Sequence, residues 1–231
     1  QFKKAISIEE VRCYFLVILA SIAIICVDIR NYYESFSEVL RHAAFQVGSL
    51  ITTTGFSTTD FSLWPQTSKT ILVLIMFIGA CAGSTGGGIK VSRFVVLFKT
   101  VAKELDSYIH PKSIKKIKMD GKPVEHEVLR SINVYFITFI TVFVVSLLIV
   151  SFDGHELVTN FTAVTATINN IGPGLNMVGP TENFGFFSNL SKYVFIIDML
   201  AGRLELFPLL IFFHPAVWQD LFKSKFGKKR R

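Results

Sequence analysis

Two short segments, each centred on a glycine, contain the residues of this chain that could do chemistry. They read TTTGFS (Thr52 to Ser57) and INNIGPG (Ile168 to Gly174), and superposing them places Gly55 on Gly172, about 117 residues apart. Glycine adopts positive φ without a Cβ penalty, so successive carbonyl groups can point toward one axis. Carbonyl oxygens arranged in this way replace the hydration shell of an alkali cation. The pattern therefore predicts a cation site built from peptide oxygens.

The residues expected to line this site are the central four of each segment. Both centres resemble shortened versions of the TVGYG sequence of potassium-channel filters. Ser57 stands where that sequence has its second glycine, and Pro173 cannot donate an N–H group behind the filter, so we expect a shorter and less selective site, and sodium permeation stays open. The candidate filter residues are Thr53, Thr54, Gly55, Phe56, Asn170, Ile171, Gly172 and Pro173.

A short helix should precede each segment. Ser35 and Glu38 have the spacing of a capping box, and apolar residues follow at helical spacing as far as Ile51. A helix of about 15 residues, or about 22 Å, is too short to cross a hydrocarbon core of about 30 Å. It should stop partway, with the negative end of its dipole toward the filter segment. Asp153 and Glu156 are predicted to open the equivalent helix of the second copy.

Composition predicts a membrane protein. Hydrophobic residues make up 51% of the chain, which contains 23 Phe, and the mean hydropathy is +0.49. Apolar spans are expected at about residues 13–29, 70–100, 132–152 and 193–213. The expected fold is an all-α membrane protein with two helix–pore-loop–helix repeats, four membrane spans and two re-entrant pore helices. The second span exceeds the length of one crossing, and GACAGSTGGGIK (Gly79 to Lys90) marks where it should break.

This glycine-rich break is predicted to be a mobile intramembrane loop. Glycine is costly in a helix and permissive in a loop, whereas close helix packing through small residues is the alternative interpretation. A phosphate-binding loop is excluded because Ile89 separates Gly88 from Lys90 and no strand precedes the glycines. The residues assigned to the loop are Gly83, Ser84, Thr85, Gly86, Gly87, Gly88 and Lys90.

Arg203 lies in the middle of the fourth span. An ionisable residue within a membrane is a functional candidate, and the repeat offset places Arg203 close to the level of Ser84. It could hold the glycine-rich loop in place or repel cations. The alternative is a structural ion pair with Asp198 or Glu205.

The basic residues predict the orientation of the chain. Segments 1–12, 90–130 and 214–231 hold 19 of the 24 Lys and Arg residues, so by the positive-inside rule both termini and the central loop face the cytoplasm. Both filter segments then hang from the outer side. The net charge of +7 needs no nucleic-acid partner, and the basic tail could touch anionic membrane lipid.

The side chains that enzymes use for catalysis are scattered. The three cysteines form no spaced pair, and the five histidines have no ligand spacing. The sequence contains no Ser/His/Asp, Cys/His or paired-carboxylate constellation. It therefore indicates neither an enzyme nor an organic cofactor.

Four motifs, TTTGFSTTDF, AGSTGGGIK, NNIGPG and AGRLE (Ala201 to Glu205), resemble the Trk/Ktr/HKT potassium-transporter superfamily, close to the bacterial Trk and Ktr uptake proteins. The resemblance extends from about Phe15 to Trp218. It implies four repeats around one ion path, with this chain as the C-terminal half that holds repeats three and four. Residues 1–100 would be the first repeat present, 101–130 a cytoplasmic connector, 131–218 the second repeat and 219–231 a basic tail.

The resemblance also implies function and partners. The transported ion would be potassium, taken up across the inner membrane, and the glycine-rich loop with Arg203 would be the gate. The implied partners are repeats one and two or a second copy of the chain, a homodimer mate, and a cytoplasmic nucleotide-binding ring of the TrkA or KtrA type. A channel-like and an ion-coupled mechanism both stay open, as do a self-assembling two-pore-loop potassium channel and a non-conducting fragment of a four-repeat transporter.

Overall fold

The computed structural model describes residues 7–110 and 116–204. This part of the chain is mostly helical. The seven α-helices named here are α1 (Glu9–Asp28), α2 (Phe36–Ile51), α3 (Gln66–Phe77), α4 (Val91–Ile109), α5 (His126–Ser151), α6 (Leu157–Ile168) and α7 (Asn189–Leu204). The predicted end of the fourth span beyond Leu204, the alternative Arg203 partner Glu205 and the basic tail 219–231 lie outside the described residues.

Two helices, α1 and α5, are long and apolar enough to cross a membrane. They correspond to the first and third predicted spans. Only 22% of the most apolar stretch of each helix is buried within the chain, so most of that surface needs lipid or further protein to cover it. Helices α3 and α6 are also apolar but shorter.

The predicted second span is two helices separated by residues 78–90. The N–H group of Gly79 donates to Ile89 O (2.8 Å) and that of Ile89 to Phe77 O (3.2 Å), so the two arms of the loop are joined at its neck. Because residues 78–90 are not helical, close helix packing through small residues does not describe them. We call this segment the glycine-rich loop.

Each half of the chain builds its own hydrophobic core. Helix α2 packs between α1 and α3, and α6 packs between α5 and α7. The halves meet where α3 contacts α6, and Ile171 and Leu175 of the second half are buried in the core of the first. The short helices are therefore held inside the protein, with the segments that follow them side by side.

The start of each short helix differs in detail from its prediction. Ser35 does cap α2, but its hydroxyl accepts from Ser37 N, while Glu38 lies 3.8 Å from Arg41. Asp153 does not open α6. It accepts a hydrogen bond from Ser188 N (2.9 Å) instead. Ser188 Oγ in turn accepts from Ser191 N (3.3 Å) in the first turn of α7, so Asp153 supports the cap of that helix.

The connector contains a hairpin that helical periodicity did not indicate. Lys118 pairs with Pro123 and Met119 with Lys122 in antiparallel register. Asp120 and Gly121 have φ of 51° and 79°, as the two central residues of a type I′ turn require. The Asp-Gly pair was the available signal for this hairpin.

Candidate ion-binding site

The first filter segment turns back on the end of α2. The N–H group of Thr53 donates to Leu50 O (3.1 Å) and that of Thr54 to Ser49 O (2.8 Å). In a trans peptide the N–H group and the preceding C=O group point in opposite directions. The carbonyl groups of Thr52 and Thr53 are therefore directed away from the helix. This turn requires Thr53 to adopt a left-handed φ of 55°, a conformation that is costly for a residue other than glycine.

The second filter segment repeats this backbone arrangement. The N–H group of Asn170 donates to Thr167 O (3.0 Å) and that of Ile171 to Ala166 O (2.9 Å). Each bond is its counterpart in the first segment shifted by about 117 residues, and Asn170 has φ of 54°. The carbonyl groups of Asn169 and Asn170 are likewise directed away from their helix.

The two segments touch at the superposed glycines. Gly55 has φ of 79° and Gly172 has φ of 115°, both in the range that favours glycine. A Cβ on Gly55 would overlap Ile171 O and lie 3.4 Å from Pro173 Cδ, whereas a Cβ on Gly172 would meet no atom within 4 Å. Gly55 is thus required by both conformation and space, and Gly172 by conformation.

Two polar side chains of α2, which the sequence analysis did not single out, fix the backbone that follows Gly55. Ser49 Oγ donates to Phe56 O (2.5 Å), and the fully buried Gln46 donates to Ser57 Oγ (2.7 Å). The hydroxyl of Ser57, which replaces the second filter glycine, donates in turn to Thr59 O (2.5 Å). The signal that could have found Gln46 and Ser49 is their place on the apolar face of an amphipathic helix.

Lys90 ties the glycine-rich loop together from inside. Its Nζ donates to Ser84 O (3.0 Å), to Ser84 Oγ (3.1 Å) and to Gly86 O (2.6 Å). Gly83 and Gly88 have φ of 83° and 73°, a conformation that L side chains rarely adopt. The ammonium group satisfies carbonyl groups of two residues of the loop, which keeps the loop compact.

The loop lies directly against both filter segments. The N–H group of Gly87 donates to Thr53 Oγ1 (3.0 Å), and a Cβ on Gly86 would lie 3.6 Å from Thr52 O. A Cβ on Gly87 would overlap Asn169 O of the second segment. Gly87 is therefore needed for close approach to the backbone of the second segment, whereas a Cβ on Gly86 would make ordinary contact with the backbone of the first.

Arg203 reaches the loop from α7. Its guanidinium Nη1 donates to Thr85 O (2.5 Å), close to the predicted level of Ser84. Asp198, one of its two alternative partners, accepts a hydrogen bond from Ser146 Oγ (2.7 Å) instead. The structure thus brings Arg203, Lys90 and Thr53 onto one short loop, while the Phe56 side chain is 72% exposed and away from it.

Comparison with known proteins identifies the family. A family model described as TrkH, cation transport protein, matches residues 10–225. The chain belongs to the TrkH family. It is 37% identical over 209 residues to the Trk system potassium uptake protein TrkH of Salmonella typhimurium. The aligned region covers 89% of this chain and 43% of that relative. It is 32% identical over 213 residues to the Trk system potassium uptake protein TrkG of Escherichia coli, and this aligned region covers 91% of this chain and 43% of TrkG.

A solved structure of this family has the same fold. The crystal structure of the potassium transporter TrkH from Vibrio parahaemolyticus superposes with a TM-score of 0.85 at 36% sequence identity, covering 94% of this chain and 46% of that one. The chain thus spans less than half the length of the relatives that it matches. The expected membership in the Trk/Ktr/HKT superfamily is confirmed.

Proposed function

We propose that this chain supplies two of the filter segments and the gate of a potassium uptake protein in the inner membrane. The observation that carries the proposal is the repeated backbone turn, which directs carbonyl groups of both segments away from their helices beside the contact between Gly55 and Ile171 O. The names of the TrkH-family relatives support potassium as the cargo. The same relatives favour this function over a self-assembling two-loop channel.

In the proposed mechanism, potassium sheds water and binds the peptide oxygens of the filter residues. The C-terminal ends of α2 and α6 point at the two segments, and their partial negative charge favours a cation there. The glycine-rich loop closes the path beneath them, held by Thr53 from the filter and by Arg203 from α7. Opening requires the loop to give up these bonds.

We propose that other segments and partners supply the parts of the pore that the described residues do not form. A cavity of 500 Å³ opens beside the second filter segment, between its backbone and α7, and we propose that repeats one and two cover this side. The positive-inside pattern supports cytoplasmic termini. A homodimer and a cytoplasmic nucleotide-binding ring are further partners under this proposal, and the basic connector and tail face them and the lipid headgroups.

Potassium uptake in a transport-deficient strain tests the proposal. The full-length protein should restore growth on limiting potassium, and replacing Gly55 by Ser should reduce uptake and its discrimination against sodium. Wild-type uptake and selectivity in Gly55→Ser and Gly172→Ser together would contradict the filter assignment.

A further inference from the structure

A buried acid at the start of α1 contacts the first arm of the glycine-rich loop. Glu10 is 8% exposed. Its Oε1 accepts from Ala82 N (2.6 Å) and from Ser92 N (3.1 Å), so one oxygen joins α1 to the loop and to the start of α4, which lie 72 and 82 residues further along the chain. From the sequence alone, the SIEEVR segment that contains Glu10 indicates only a charged start to the first span.

Both bonds satisfy backbone N–H groups that have no other protein acceptor among the described residues. Ser92 lies in the first turn of α4, where N–H groups have no intrahelical acceptor, and the preceding Lys90 provides no side-chain cap. Ala82 lies on the first arm of the loop. A buried carboxylate is costly unless hydrogen bonds compensate it, so the acid and the two amides depend on one another.

The acidic neighbour of Glu10 is engaged elsewhere. Glu9 forms an ion pair with Lys99, and its N–H group donates to Asp120 Oδ1 (2.7 Å) of the connector hairpin. Glu10 thus contacts the loop, whereas the adjacent Glu9 contacts Lys99 and the connector. This pair offers a matched internal control.

We propose that Glu10 is a positioning residue for the gate, an inference that rests on the function proposed above. Its carboxylate holds the first arm of the loop and the start of α4 against α1. The loop is then held at two points, by Glu10 at Ala82 and by Arg203 at Thr85. Releasing the Glu10 bonds frees the first arm and shifts the loop toward open conformations.

Cys81 reports this movement, because it precedes Ala82 and is partly exposed. Its rates are compared over a pH series, because the Glu10 charge also acts on the thiol. The full-length protein, with Cys13 and Cys26 replaced by Ala and with any cysteine outside this chain also replaced, is solubilised in detergent. The rate at which a water-soluble maleimide modifies Cys81 is then measured. Hydrogen bonds to a charged group contribute about 1.5–3 kcal/mol, so Glu10→Ala should speed modification by about tenfold or more. Glu9→Ala should leave the rate within about twofold of the parent.

Two conservative variants separate positioning from a general need for charge. Glu10→Gln retains Oε1 as an acceptor but loses the charge that strengthens both bonds, so its rate should fall between those of the parent and Glu10→Ala. Glu10→Asp keeps the charge but is one methylene too short to hold both amides and should resemble Glu10→Ala. Thermal unfolding of each variant checks that it is folded. Unchanged modification in Glu10→Asp, or modification of Glu10→Gln as fast as that of Glu10→Ala, would overturn the inference.

Potassium flux measured in parallel distinguishes failure of the two proposals. A parent protein that carries no potassium contradicts the proposed function whatever the Cys81 rates are. A parent that transports potassium, with Cys81 rates independent of Glu10, contradicts only the inference about Glu10.

Discussion

At the scale of single residues, substitutions of Gly55 and Gly172 test two requirements separately, namely the backbone conformation and the space available for a side chain. Gly55→Ala introduces both a strained left-handed backbone, worth about 1–2 kcal/mol, and an overlap with Ile171 O. Gly172→Ala introduces the strain without the overlap. Potassium uptake should therefore fall in both variants and fall further in Gly55→Ala, by about tenfold or more, as measured by initial rates of rubidium or potassium entry.

Gly48 provides the control for this comparison. It lies within α2, one turn before the filter, and a Cβ there meets no atom within 4 Å. Gly48→Ala should be stabilising by up to about 1 kcal/mol, the usual helix preference of Ala over Gly, with uptake unchanged. If Gly48→Ala and Gly55→Ala reduced uptake equally, close contact at the filter would not be the cause.

Thr53 makes a second prediction at this scale, because its hydroxyl joins the filter to the loop through Gly87 N. Thr53→Val preserves the β-branched shape and the left-handed backbone but removes the acceptor, at a cost of about 1 kcal/mol. Loss of this bond should weaken the closed state and raise basal flux by roughly fivefold. Thr53→Ser retains the hydroxyl and should retain the low basal flux. Equal flux in the two variants would show that the hydroxyl does not hold the loop.

At the scale of helices, a carboxylate at or just after the end of the first helix of each half binds the start of the helix that follows the filter segment of that half. Asp28 Oδ2 accepts from Ser68 N (2.9 Å) and Ser68 Oγ (2.6 Å) near the start of α3, and Asp153 accepts from Ser188 N at the start of α7. Asp28→Ala and Asp153→Ala should each destabilise the protein by about 1 kcal/mol, the typical loss for a helix cap. Unfolding midpoints in detergent measure this, with the exposed Glu34→Ala as control.

The cap at Asp153 should also depend on pH. Partial burial acts to raise the pKa of Asp153, but hydrogen bonds from Ser188 and Ser191 outweigh it and hold the pKa below its usual value. A lowered pKa in the folded state means that the stabilisation is complete above the ordinary carboxyl pKa and is lost as pH falls through the folded value. The stability difference between wild type and Asp153→Asn should therefore shrink below about pH 4. A difference that does not change with acidification would contradict this role.

The helices also show which features local sequence can predict. The break at residues 78–90 and the short helix before Gly55 follow from glycine content and periodicity, which act over a few residues. The caps by Asp28 and Asp153 join residues 40 and 35 positions apart, and Glu10 meets its partners 72 and 82 positions away. Such contacts depend on how the helices pack, so spacing along the chain does not reveal them. The hairpin at Asp120 was predictable from its turn residues but not from helical periodicity.

At the scale of the whole molecule, the glycine-rich loop contacts the segments that follow α2 and α6, one from each half. It belongs to the first half, approaches Asn169 of the second half through Gly87, and is held by Arg203 from α7. A packed element of this kind has discrete arrangements rather than a continuum, because close contacts on several sides must change together. Movement of α7 relative to α1 should therefore be transmitted to the loop.

Arg203 tests this coupling across the molecule. Its bond to Thr85 O is made by a charged donor and contributes about 1.5–3 kcal/mol, so Arg203→Gln should shift the closed state toward open by roughly tenfold or more, seen as flux without stimulation. Arg203→Lys keeps the charge but loses the planar, fixed donor geometry of the guanidinium, and should fall between wild type and Gln. The exposed Arg41, 3.8 Å from Glu38, provides the control, since Arg41→Gln removes a cation that does not contact the loop. Basal flux that rises equally in Arg41→Gln and Arg203→Gln would mean that the loss of positive charge, and not the bond to the loop, governs closure.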